Sequence, residues 1–156
     1  MKLIYVLVLF FISSIALSAQ EKKEAIKPIH ELKSFTTKHE IISGGKSIKF
    51  NATASETFLK NEEGDSVASI WSVAYIQEGI SDQSKRPVTF VFNGGPGSAS
   101  MWLHMGMFGP ELVKVHSDAV EDDGAAPYNL VANNNGLFDL TDFVFIDPVG
   151  TGYSRV

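Results

Sequence analysis

Residues 88–98 read Val88-Thr89-Phe90-Val91-Phe92-Asn93-Gly94-Gly95-Pro96-Gly97-Ser98. The first five form a short, nearly continuous apolar run of the kind that suits a strand buried on both faces of a sheet. The turn formers that follow stop that strand abruptly. A second unit of the same design comes later: Phe143-Val144-Phe145-Ile146, then Asp147-Pro148 and the loop Val149-Gly150-Thr151-Gly152-Tyr153-Ser154. Between the two units, Ala99 to Phe108 reads as a short helix that starts at Ser98 or Ser100 and is stopped by Gly109-Pro110. A helix between buried strands implies a crossover-connected, largely parallel sheet, so the expected fold class is α/β.

Working outward from this stretch, Ser47 to Ala54 alternates with period two, as a half-buried strand does. Asn61-Glu62-Glu63-Gly64-Asp65 is a turn cluster, and Val67 to Gln77 is rich in β-branched and aromatic residues. Together they predict an antiparallel hairpin ahead of the parallel strands. Residues 20–46 are polar with scattered apolar positions and read as a loosely packed arm. Residues 117–136 read as loop. Residues 1–19 show one Lys, an apolar run from Leu3 to Ile12 and a small-residue end at Ala19, the layout of a secretory signal peptide. The run is short for a bilayer span, which takes about 20 apolar residues. The chain is therefore expected to be exported, periplasmic or secreted, with no stable membrane anchor after cleavage near Ser18 or Ala19. The domain reading is a signal peptide at 1–19, an arm at 20–46, and at 47–156 a fold that continues past Val156.

Composition narrows the function classes. The chain has 156 residues, 44% hydrophobic and 11% aromatic, which is too apolar for a disordered chain. It has no Cys, so disulfides, thiolate metal sites and a cysteine nucleophile are excluded. The net charge of −5 gives no reason to expect nucleic acid as a partner. Residues 21–60 hold eight Lys against five Glu, whereas residues 61–156 hold four basic and thirteen acidic side chains. The Lys-rich stretch lacks interleaved aromatics and reads as a solvated face.

The loop at 93–98 carries the chemistry. A glycine-rich loop after a strand presents backbone N–H groups to an anion, and the missing Cβ atoms permit close approach. Asn93 adds a side-chain donor. The expected ligand is negative: a phosphate, a carboxylate or a developing oxyanion. A dinucleotide fingerprint is nearly matched by Gly95-x-Gly97-x-x-Ser100, but Ser replaces the third Gly and Pro96 intervenes. A P-loop fails because no Lys-Ser/Thr follows. A plain structural turn is the simplest alternative. The remaining reading is an oxyanion hole: α/β-hydrolases draw one donor from the loop after their third strand, and the hairpin makes residues 88–92 the third strand here.

These residues also resemble a known family. Asn93-Gly94-Gly95-Pro96-Gly97-Ser98, then Gly109-Pro110, then Ile146-Asp147-Pro148-Val149-Gly150-Thr151-Gly152-Tyr153-Ser154 is similar to the serine carboxypeptidases, peptidase family S10. The resemblance runs from about Pro87 to Arg155. It implies the N-terminal part of an α/β-hydrolase fold, and a hydrolase that releases C-terminal residues from peptides through a Ser-Asp-His triad without metal or cofactor. It implies that Asn93 and Gly94 N–H hold the carboxylate at the peptide C-terminus. Gly95 N–H would be an oxyanion donor, while Pro96, Gly97 and Ser98 shape the loop and Tyr153 walls the pocket. The family often has Trp, Cys and an acid where this chain has Val91, Ser98 and Met107.

The triad itself is missing from the sequence. Gly152-Tyr153-Ser154-Arg155-Val156 begins like G-x-S-x-G and ends in Val. His30, His39, His104 and His116 precede any expected nucleophile, as does Asp147, whose expected role is a hydrogen bond to the adjacent loop. The acidic group Asp118, Glu121, Asp122 and Asp123 lacks the spacing of a calcium loop. Asn51-Ala52-Thr53 matches a glycosylation sequon. The expectation is a serine carboxypeptidase whose 156-residue portion is inactive alone; the alternatives are an exported carboxylate-binding module and an acyltransferase of the same fold.

Overall fold

The computed structural model of the protein describes residues 32–115 and 126–156. The signal-peptide reading, His30, His116 and the acidic group at 118–123 lie outside the described residues. Strand β1 (Ser34–Ser43) turns into β2 (Lys46–Lys60) through Gly44-Gly45, and β2 turns into β3 (Ser66–Gln77). Both glycines of the first turn have positive φ, +56° and +76°, which matches the twist a two-residue hairpin needs. The second turn is held by Asn61, whose Oδ1 accepts the Asp65 N–H at 2.8 Å. Strand β4 (Val88–Val91) and, after β5 (Glu111–Lys114) and β6 (Asn129–Ala132), strand β7 (Asp142–Ile146) complete the set.

The main sheet has the order β1-β2-β3-β7-β4, and β5 pairs with β6 in a separate two-stranded sheet. Three of the four pairings in the main sheet are antiparallel; only β4 and β7 run parallel. Among the described residues helix is confined to α1 (Met101–Leu103), a π-helical turn over His104–Phe108 and a 3-10 turn at Gln83–Lys85. The fold is therefore a β-dominated mixed sheet, and the α/β-hydrolase expectation is corrected. Among the described residues between β4 and β7, helix extends only over Met101–Phe108. Gly106 weakens the segment, and Asn133 Nδ2 ties down its last carbonyls, donating to Met107 O at 3.0 Å and Gly109 O at 2.8 Å. The described part of the connection carries β5 and β6, and no α-helical layer stands among the described residues.

One face of the sheet is the core. Ile48, Phe50, Tyr75, Val91, Phe143 and Phe145 are buried there beneath Phe138, with Leu103 and Phe108 packed alongside. Phe138 sits 5.1 Å from Phe143 and 5.7 Å from Phe50, ring centre to ring centre, and so acts as the lid that a helix was expected to supply. The other face grades from polar to apolar. Thr36 and Thr53 share a hydroxyl hydrogen bond at the β1–β2 end, whereas Phe90 stands bare at the β4 end. Residues 88–92 are thus not buried on both faces: only Val91 is covered, and Val88, Phe90 and Phe92 are exposed. The polar arm also needs correction, because residues 34–43 are a paired strand. A Gly-Gly pair between runs of strand-forming residues was the available signal for it.

Candidate functional site

The two glycine loops leave from the same end of the sheet, because β4 and β7 are parallel neighbours with Val91 beside Phe145. Ligands of parallel strands gather at such carboxyl ends. In the first loop Gly95 and Gly97 take φ of +87° and +92°, and nothing lies within 4 Å of where a Cβ would be on either. Left-handed geometry at two positions around Pro96 turns the chain sharply. The N–H groups of Gly94, Gly95 and Gly97 donate to no other described residue, and all three glycines are exposed. Asn93 is half-buried at the strand exit, and its Oδ1 is buried with no hydrogen-bond partner among the described residues.

Ser98 does not cap a helix. The residue at the start of α1 is Ser100, and it makes no side-chain capping bond either. Its hydroxyl instead donates to Ile146 O and accepts the Asn93 N–H at 3.3 Å. With α1 and the π-helical turn that continues it spanning only Met101–Phe108, a helix dipole contributes little, so any anion held here would rest on individual N–H groups.

The second loop is built around Asp147. Its Oδ1 accepts the Ser100 N–H at 2.9 Å and its Oδ2 the Tyr153 N–H at 3.3 Å, so one carboxylate joins both loops. Gly152, at φ +50°, leaves room for it: a Cβ there would overlap the Asp147 carboxylate and lie 3.2 Å from Ala99 Cβ. Tyr153 is 70% exposed, and its ring leans on Trp71 at 5.5 Å between centroids. The Tyr153–Trp71 pair makes an aromatic edge beside the loops. Trp71 was not singled out from the sequence, where it is simply one aromatic among strand formers.

Ser154 is fully buried; its hydroxyl donates to Asp147 O at 2.7 Å and accepts the Trp71 N–H at 2.8 Å. Both lone-pair and proton roles are committed to backbone, so this hydroxyl is a brace and not a nucleophile. His104 packs in the core, its ring 4.3 Å from Phe145 and its Nε2 2.6 Å from Tyr75 Oη. Burial holds its pKa below the usual histidine value, against an opposing pull from Asp147. Burial, with help from Glu111, pushes the Tyr75 phenol up to about 12. A neutral imidazole accepting the phenol proton satisfies both groups. His39 stacks on Phe50 at 5.6 Å and contacts the Thr37 hydroxyl. Among the described residues no serine hydroxyl is hydrogen-bonded to a histidine, and no group of His, Asp and Glu is placed to hold a metal. No described helix is long and apolar enough to cross a membrane.

An open apolar cleft of about 410 Å³ is lined by Met101, Trp102, Met105, Val113 and Tyr128 among others. It is distinct from the glycine loops and offers almost nothing to an anion. Two buried polar groups also escaped sequence reading: Asn133, noted only as part of a loop, and the Arg86–Asp142 ion pair. Neither has a local pattern, since their partners lie 24 and 56 residues away.

No protein-family model and no curated protein matches the chain.

Proposed function

We propose that the chain supplies the carboxylate-binding and oxyanion loop of an exported serine-type carboxypeptidase. In this reading Asn93 and the Gly94 N–H hold the C-terminal carboxylate of a peptide, and Gly95 N–H faces the oxyanion that develops at the scissile carbonyl. The observation that carries it is the set of N–H groups at Gly94, Gly95 and Gly97 that donate to no other described residue, exposed at the carboxyl end of the parallel pair β4–β7. Donors held in place before the ligand arrives cost no reorganisation, and each such donor at an oxyanion contributes roughly 3–4 kcal/mol. The motif resemblance from Pro87 to Arg155 supplies the reaction class.

Hydrolysis needs a nucleophile and a base that the described residues do not arrange, since Ser154 is locked and His104 is packed against Phe145. The chain alone is therefore expected to bind and not to turn over.

The test is a titration of the 156-residue chain with acetyl-alanyl-phenylalanine, as the free acid and as the C-terminal amide, followed through the backbone amide resonances. The reading expects the acid to shift the amides of Gly94 and Gly95 and the amide to leave them in place. Equal shifts with both peptides, or none with either, would overturn it.

A further inference from the structure

The Asp147 carboxylate accepts the N–H of Ser100, at the start of α1 two residues past the first glycine loop, and that of Tyr153 in the second loop. Ser100 in turn is bonded through its hydroxyl to the Asn93 N–H and to Ile146 O. The connection from the Asp147 carboxylate to Asn93 thus passes through one intervening residue. Gly152 has no side chain in the space that the carboxylate fills. A short chain of contacts therefore runs from Tyr153 to Asn93 with Asp147 at its centre.

We propose that Asp147 is a positioning residue for anion binding, setting the first loop against the second so that the donors at Asn93, Gly94 and Gly95 converge. This rests on the carboxylate-binding reading above. Electrostatics alone argues the other way. A carboxylate close to an anion site repels the ligand, and removing its charge should strengthen binding. A carboxylate retained in this place has to return more through geometry than it loses through charge. Its two charge-assisted hydrogen bonds are the means, because each is about twice as strong as a neutral one.

Asp147→Asn separates the two effects. The asparagine keeps one acceptor oxygen but turns an NH2 toward the Ser100 or the Tyr153 N–H, so one link of the clasp is lost while the shape is kept. Three quantities are read on the full chain: exchange protection of the Ser100 and Tyr153 amides without ligand, affinity for acetyl-alanyl-phenylalanine, and stability in urea. Ser154→Ala serves as the comparison, because it loosens the same loop from β3 without touching the carboxylate. The expected outcome for Asp147→Asn is loss of protection at Ser100 or Tyr153 and roughly tenfold weaker binding, the loss due to one charge-assisted hydrogen bond. Ser154→Ala should lower stability with binding unchanged.

Unchanged or tighter binding by Asp147→Asn overturns the proposal, as does equal weakening in both variants. If Asp147→Asn does not fold, Asp147→Glu, which keeps the charge but moves it, is expected to weaken binding; unchanged binding by that variant overturns the proposal too. If the wild-type chain binds no peptide acid, the carboxylate reading fails by itself. The protection data then decide the clasp separately: loss confined to Ser100 and Tyr153 supports it, and unchanged protection removes it.

Discussion

Arg86 Nε lies 2.7 Å from Asp142 Oδ1, in a pair whose side chains are only 8% and 3% exposed. Asp142 is the first residue of β7, and its carboxylate also accepts the Gln77 N–H at 3.0 Å and Gln83 Nε2 at 2.7 Å. The guanidinium goes on to Phe138 O at 2.7 Å. One buried pair therefore fixes the end of β3, the turn before β4, the start of β7 and the segment that covers the core.

Breaking that pair from one side should be costly. Arg86→Met leaves a buried carboxylate without its charge partner, and such a loss is worth about 3–5 kcal/mol. Urea denaturation is expected to show a drop of that size, while exposed Lys38→Met, which removes the Lys38–Glu78 contact at 2.7 Å, should change stability by under about 1 kcal/mol. Similar losses in the two variants would contradict the assignment of the buried pair as a structural pin.

Stability should rise with pH on the acid side because of His104. Its folded pKa is depressed, so between that value and the ordinary 6.5 the unfolded chain binds more protons than the folded one. The contribution is fully present above 6.5 and is lost as pH falls through the folded value. At the alkaline end Tyr75 acts in the opposite direction. Its phenol titrates at about 12 in the fold against 10 when unfolded, so stability falls as pH climbs through that window. Denaturation midpoints measured from about pH 5 to 8 should show the acid-side slope, reduced in His104→Phe. An identical slope in that variant would assign the effect to other groups.

The glycines of the two loops should differ in their tolerance of a methyl group. Gly95→Ala places a Cβ in open space and meets only the left-handed backbone penalty, roughly 1–2 kcal/mol. Gly152→Ala meets that penalty and the Asp147 carboxylate as well. Thermal unfolding is expected to rank Gly152→Ala as clearly the less stable. The reverse order would mean that the Asp147–Gly152 packing is wrong.

Among the described strands β4 is the edge strand at one side of the main sheet, and Val88, Phe90 and Phe92 show exposed apolar side chains there. Such an edge invites self-association. Phe90→Lys, at a residue 61% exposed, is expected to lower light scattering at a given concentration with little change in the urea midpoint. Val91→Lys, directed into the core, should unfold the chain. A Phe90→Lys variant that aggregates as readily as wild type would place the sticky surface elsewhere, the apolar cleft beside Trp102 being the next to examine.

Local chemistry was readable from the residues alone. Alternation over 47–54 and the β-branched run at 67–77 located β2 and β3. The apolar runs at 88–92 and 143–146 located β4 and β7. Their glycine loops announced sharp turns, because a positive φ is an intrinsic preference that does not depend on distant partners. What the sequence concealed was set by contacts across long separations. The helical pattern at 99–108 folds only over Met101–Phe108, as the three residues of α1 and a π-helical turn, with Asn133 holding the carbonyls at its end and Phe138 in the covering position. Ser154, which imitates the opening of a nucleophile motif, became a buried brace because Trp71 and Asp147 backbone groups claimed its hydroxyl. Turn and strand preferences belong to a few neighbouring residues, whereas strand order, burial and hydrogen-bond partners depend on which distant groups the folded sheet brings together.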